Sequence, residues 1–197
     1  MKKTRFFLLL TVFSFSILGP GASDVWARVW SRPDYFTFMT GYMVEDDLER
    51  KDDYEIIPLE FSLGWGLNNW IERHLNWDIP GKLNGELELS INPVLSPDSN
   101  VEAVFNVALM WFPFGEGKIS PYLKGGTGPG YTTQHTYEQG SQANFFSYAG
   151  IGLQIKVNRK CSVLVGYRVR HFSNADLDKP NKGVNHEGWV SGVKIRF

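Results

Sequence analysis

The sequence predicts an all-β chain closed into an eight-stranded antiparallel transmembrane β-barrel. Three observations point there. The N-terminus reads as an export segment, eight separate stretches alternate apolar with polar or small residues, and the last strand ends on an aromatic residue.

The export segment is MKKTRFFLLLTVFSFSILGPGAS. Lys2, Lys3 and Arg5 precede an apolar run from Phe6 to Leu18, and Pro20, Gly21 and small residues follow. This is the build of a secretory signal peptide, and the run is too short to cross a bilayer as a helix. Cleavage is expected after Ser23 or Ala27, leaving 28–197 as one domain. The net charge of −1 gives no reason to expect a nucleic-acid partner. Cys161 is the one cysteine, so no intrachain disulfide can form. His74, His135 and His186 are scattered and no CxxC or HExxH spacing occurs, so neither a metal nor a cofactor is expected.

Nothing after the export segment approaches the roughly 18 consecutive apolar residues of a membrane helix. Yet 43% of the chain is apolar and 15% aromatic. Alternation accommodates these residues. In Tyr54–Leu67, Ile57, Leu59, Phe61, Leu63 and Trp65 alternate with Glu60, Ser62, Gly64 and Gly66. Leu83–Pro93 sets Leu87, Leu89 and Ile91 against Glu86, Glu88 and Ser90, and Val101–Phe112 repeats the pattern from Val101 to Trp111. Ala143–Lys156 sets Phe145, Ala149, Ile151, Leu153 and Ile155 against Gly150, Gly152, Gln154 and Lys156. Val29–Met43, Ile119–Thr132, Cys161–Ser173 and Asn185–Phe197 complete eight strands. Each reaches the roughly 9–11 residues that a tilted membrane strand needs.

The end of the chain, GWVSGVKIRF, puts Trp189, Ser191, Val193, Ile195 and Phe197 on one face. It resembles the final strand of bacterial outer-membrane barrels. A soluble sandwich can alternate in the same way, but the export segment favours the barrel and the bacterial outer membrane. With a periplasmic N-terminus, VEDDLERKDD, VLSPDSN, TQHTYEQGSQ and NADLDKPNKGV become outer loops, and PFGEGK and VNRK inner turns. The long inner connection Asn68–Lys82 is expected to form a short amphipathic element, with Trp70 and Trp77 in the interfacial belt. An eight-stranded barrel is filled by side chains. Glu60, Glu86 and Glu88 are expected to pair inside with Arg168, Arg170, Lys194 and Arg196, which disfavours a pore.

One stretch does not fit a plain barrel: YRVRHFSNADLDKPNKGVNHEG, Tyr167–Gly188. In its first strand Val163, Val165, Tyr167 and Val169 share a face, so His171 and Ser173 also point toward lipid. Polar groups there carry a cost unless they lie near the interface or serve a purpose. Asn185 and Glu187 share the outward face of the last strand. A symmetric hairpin would set Ser173 opposite Asn185 and His171 opposite Glu187. Serine, histidine and carboxylate would then follow the logic of a catalytic triad.

The segment His171–Asn185, HFSNADLDKPNKGVN, resembles the C-terminal motif of the PagL-type lipid A 3-O-deacylases, also grouped as acyloxyacyl hydrolase-like outer-membrane proteins. The His-x-Ser-Asn-Ala core, the Pro-Asn pair and the following Gly match. The resemblance implies a serine esterase at the outer leaflet that hydrolyses the 3-position acyl ester of lipid A in lipopolysaccharide. It implies Ser173 as nucleophile and His171 as general base. The oxyanion hole would come from backbone N–H groups after the Ser-Asn pair, at Ala175 and Asp176, with the Asn174 side chain as a further donor and Asn181 steadying the loop.

This chain departs from the family pattern twice. Asn185 stands where the family has a glutamate, so either Glu187 supplies the acid or Asn185 orients His171 without a charge. Asp176 stands where glycine is common. The competing expectation is a non-catalytic structural or surface-binding barrel. The sequence leaves the oligomeric state open, a homodimer included.

Overall fold

The computed structural model of the chain describes residues 32–45, 53–135 and 138–197. The expected signal peptide and most of VEDDLERKDD lie outside the described residues. The strands are β1 (Tyr35–Glu45), β2 (Tyr54–Ile56), β3 (Leu59–Gly66), β4 (Lys82–Ser96), β5 (Asn100–Phe112), β6 (Ile119–Thr132), β7 (Ala143–Lys156), β8 (Cys161–Ser173) and β9 (Val184–Arg196). Neighbours pair antiparallel in sequence order, and β1 pairs with β9 from Tyr35↔Arg196 to Val44↔Glu187, which closes the sheet.

β2 and β3 occupy one barrel position, so the barrel has eight staves, as expected. The break between them falls at Ile57–Pro58. Proline has no N–H to donate to a ladder, and the pairing of β2 with β4 slips between Glu55 and Ile56. The third connection is shorter than expected, because β4 runs to Ser96 and β5 begins at Asn100.

The alternation assigns the two faces correctly. Phe61, Leu89, Ile91, Phe105, Ile151 and Trp189 are exposed on the outer wall. In water such a surface would be untenable; around a barrel it forms the apolar band that meets lipid. α1 (Asn68–Leu75) fills the long inner connection. Its Ile71 packs with Leu67 and with Leu83 and Leu109, outward-facing residues of β4 and β5. The helix therefore lies against the outside of the wall at the turn end. Trp70 stacks on His74 with ring centroids 5.1 Å apart, and Trp77 stays half-exposed.

The interior is a chain of ion pairs and aromatic rings. Arg168 of β8 bonds Glu60, and Arg170 meets Glu102 at 2.5 Å. Lys124 reaches Glu86 at 2.9 Å and Glu88 at 2.7 Å, and the Tyr148 hydroxyl donates to Glu88 at 2.8 Å. A cavity of about 20 Å³, room for a single water, lies among these groups. Of the expected pairs only Glu60–Arg168 forms: Glu86 and Glu88 take Lys124 instead, and Arg170 takes Glu102.

At the turn end, Lys194 and Arg196 meet Glu116 at 2.7 and 2.5 Å, and Lys82 approaches it at 2.9 Å. Burial pushes the Glu116 carboxyl upward, but Lys194, Lys82 and Arg196 outweigh it and hold the group well below the usual carboxylate range.

Two predictions follow from this core. Lys124→Met leaves Glu86 and Glu88 buried without their shared cation, and is expected to cost about 3–5 kcal/mol, read from urea unfolding in lipid vesicles. Glu116 binds its proton less readily folded than unfolded. Its stabilising contribution is therefore complete above the unfolded value of about 4.3 and is lost as pH falls through the lower folded value. Between pH 6 and pH 3 the urea midpoint is expected to fall further for the parent chain than for Glu116→Gln.

Candidate active site

The last hairpin, β8 to β9, carries the site. Inward residues of β8, from Ser162 to Phe172, are buried, whereas His171 is exposed and Ser173 half-exposed on the outer wall. The same inside-out division holds on β9, where Val184 and His186 are buried and Asn185 and Glu187 exposed.

The pairing differs from the symmetric hairpin by two residues. His171 faces Asn185, and Glu187 faces Val169. A slip of two preserves the face of every side chain and changes its partner. His171 Nδ1 and Asn185 Oδ1 lie 2.8 Å apart. An amide oxygen only accepts, so the imidazole must donate from Nδ1. In neutral His171 the lone pair then sits on Nε2, the nitrogen free to take a proton. Glu187 lies instead near Tyr167, whose ring packs edge-on to Trp189 at 5.2 Å. The expected pairing of Glu187 with His171 does not form.

Ser173 follows His171 on the same face, two residues further along β8. Among the described residues no hydrogen bond joins the two side chains.

The turn after Ser173 is built by asparagines. Asn174 is fully buried, and its N–H donates to Asn181 Oδ1 at 2.9 Å. Its side-chain Nδ2 donates to the Asp178 carbonyl at 2.8 Å and the Pro180 carbonyl at 3.5 Å. The Asn174 side-chain donor expected for the oxyanion hole is thus spent on the turn. Asn181 also donates to Asp176 Oδ1 at 3.3 Å.

Ala175 and Asp176 both take positive φ, 53° and 60°. That region disfavours most side chains but tolerates aspartate, so Asp176 fits where glycine would be easier. The Ala175 and Asp176 N–H groups donate no backbone hydrogen bond among the described residues.

Two supports were not foreseen. The loop before β7 grips the turn: Gly140 N–H donates to the Pro180 carbonyl at 2.7 Å, and Lys182 N–H to the Glu138 carbonyl at 3.0 Å. Such pairing between distant loops leaves no mark on local alternation. Gly183 sits at φ +75°, and a Cβ there would collide with the His171 ring. A glycine just before a strand that carries a candidate orienting residue was the available signal.

The fold defines a bacterial outer-membrane β-barrel with a polar cluster on its lipid face. A model of the lipid A 3-O-deacylase (PagL) family matches residues 59–193, which include β8, the turn after it and β9 as far as Val193. The chain belongs to that family. Among solved structures it is similar to the outer membrane enzyme PagL, with a TM-score of 0.55 and 19% identity over 83% of this chain and 99% of that one. It is also similar to Neisserial surface protein A (NspA), with a TM-score of 0.61 and 13% identity over 83% and 96% of the two chains. A search of curated protein sequences gave no match. At these identities both structures speak for the fold alone.

Gly183→Ala would force the His171 ring out of place and strain the turn. It is expected to lower lipid A deacylation at least tenfold, while the folded barrel keeps its heat-modifiable migration on gels.

Proposed function

We propose that the chain is a serine esterase that removes the acyl group ester-linked at the 3 position of lipid A, with Ser173 as nucleophile, His171 as general base and Asn185 as its uncharged orienter. The observation that carries this reading is the 2.8 Å contact of His171 Nδ1 with Asn185 on the lipid-facing wall beside Ser173. The barrel architecture is shared with a surface protein, so the reading rests on the site and the family. The substrate, a membrane lipid, would reach a lipid-facing site by diffusion in the outer leaflet.

The chemistry follows from the groups present. Ser173 Oγ attacks the acyl carbonyl while its proton passes to His171 Nε2. The carbonyl oxygen becomes an oxyanion, for which the Ala175 and Asp176 N–H groups are the donors in reach of the turn. A well-placed donor of this kind contributes about 10²–10³ in rate. The carbon–oxygen bond to the sugar breaks, and His171 returns the proton to the leaving sugar hydroxyl. Water, deprotonated by His171, then releases the fatty acid and restores Ser173. No metal or cofactor enters the sequence of steps.

Asn185 fixes the tautomer and ring orientation of His171 but carries no charge to stabilise the imidazolium. The Cys-His-Asn arrangement of papain-like proteases works with the same neutral partner. Glu187, which faces Val169, takes no part in the proton transfer.

Mass spectrometry of lipid A from a host expressing the chain tests this reading. Loss of one 3-hydroxyacyl group is expected with the parent chain and no loss with Ser173→Ala. Deacylation by a folded Ser173→Ala barrel at the parent rate would overturn the mechanism. In the same assay Asn185→Leu is expected to lower the rate by about a hundredfold, within the roughly 10⁴ that tautomer control can contribute. Asn185→Glu is expected to retain or raise it.

A further inference from the structure

The outward row of β7 runs Ala143, Phe145, Ser147, Ala149, Ile151, Leu153, Ile155. Ser147 is its one polar member. It is exposed on the lipid-facing wall, and it is the residue directly opposite His171. On its other side it pairs with Thr127 of β6. Thr127, Ser147, His171 and Asn185 therefore form one rung across four neighbouring strands. Three strand spacings make that rung about 14 Å wide. Beyond Thr127 it ends, because the partner on β5 is Val107.

The hydrogen bonds give this rung a direction. Thr127 Oγ1 donates to the Phe146 carbonyl at 3.0 Å. A hydroxyl has one proton, so in the 2.8 Å contact between Thr127 and Ser147 the donor is Ser147. The Ser147 proton is thereby committed, and its oxygen faces the bilayer as an acceptor. Hydrocarbon tails offer it no donor. The groups of a glycolipid that do are hydroxyls and amide N–H groups near the tops of its acyl chains. These lie at the depth of a rung that adjoins the reacting ester. One rung deeper, the partners of Ala149 are Gly125 and Val169, so the wall below the polar rung is apolar, as an acyl tail requires.

We propose that Ser147, with its proton held by Thr127, is a substrate-positioning residue that accepts a hydrogen bond from a hydroxyl or amide N–H of the glycolipid beside the ester being cleaved. This deepens the deacylase reading and rests on it for the identity of the substrate.

The test is binding of purified lipid A to the barrel in detergent micelles, in a Ser173→Ala background that cannot turn it over. Adding Ser147→Ala is expected to weaken binding about fivefold to tenfold, the range of one net hydrogen bond, and Ser147→Thr to restore most of it. With Ser173 intact, Ser147→Ala is expected to act more on KM than on kcat. Equal affinity of the two backgrounds for lipid A, or an effect confined to kcat, overturns the proposal. The two readings fail separately. If the parent chain does not deacylate lipid A but Ser147→Ala still weakens its binding, the subsite stands and the esterase assignment falls.

Discussion

The register of the β8–β9 hairpin is the constraint on which the site depends. Parity decides that His171, Ser173 and Asn185 face the bilayer; register decides that Asn185, not Glu187, meets His171. That register is held from the other side of the same strands. Arg168 and Arg170, the inward neighbours of His171 along β8, are tied to Glu60 and Glu102, while Lys194 of β9 is tied to Glu116. Sliding β8 by one pair would unmake several buried ion pairs at once, each costly to break. The polar core thus acts as the jig for a site outside it.

This arrangement inverts the usual enzyme layout, in which a cleft encloses the reacting groups. Eight staves are filled by side chains, and the cavity beside Arg168 and Arg170 holds about a water's volume, at about 20 Å³. The candidate site lies instead at the seam between barrel wall and outer loop. Here the Asn174–Asn181 bond and the grip of Gly140 on Pro180 order a turn with two successive residues at positive φ. Hydrogen bonds among His171, Asn185, Ser147 and Thr127 also lower the cost of facing polar groups to lipid.

Strand positions and faces were legible in the sequence because a period of two is strong in a barrel that is apolar outside and charged inside. Ile151, Leu153 and Ile155 against Gln154 and Lys156 needed no further information. The partner of His171 was not legible for the same reason: a slip of two residues leaves the alternation unchanged. The turn that sets the slip is ordered by Asn174, Asn181 and a neighbouring loop, contacts without local periodicity. The break at Pro58 was visible as a residue without an N–H but was read through. Glu116 sat in a turn segment and gave no sign that it would gather Lys82, Lys194 and Arg196. The resemblance of His171–Asn185 to a family motif supplied the candidate roles, and the structure supplied the contact between His171 and the residue that departs from that motif.

The central claim is that Asn185 holds His171 in the tautomer that leaves Nε2 ready to accept the Ser173 proton. Nitrogen-15 NMR of histidine-labelled barrel in micelles, with His171 assigned by a His171→Asn variant, measures this directly. The account predicts that the neutral form of His171 carries its proton on Nδ1, with loss of that preference in Asn185→Leu. A His171 protonated at Nε2, or a tautomer indifferent to Asn185, would contradict it.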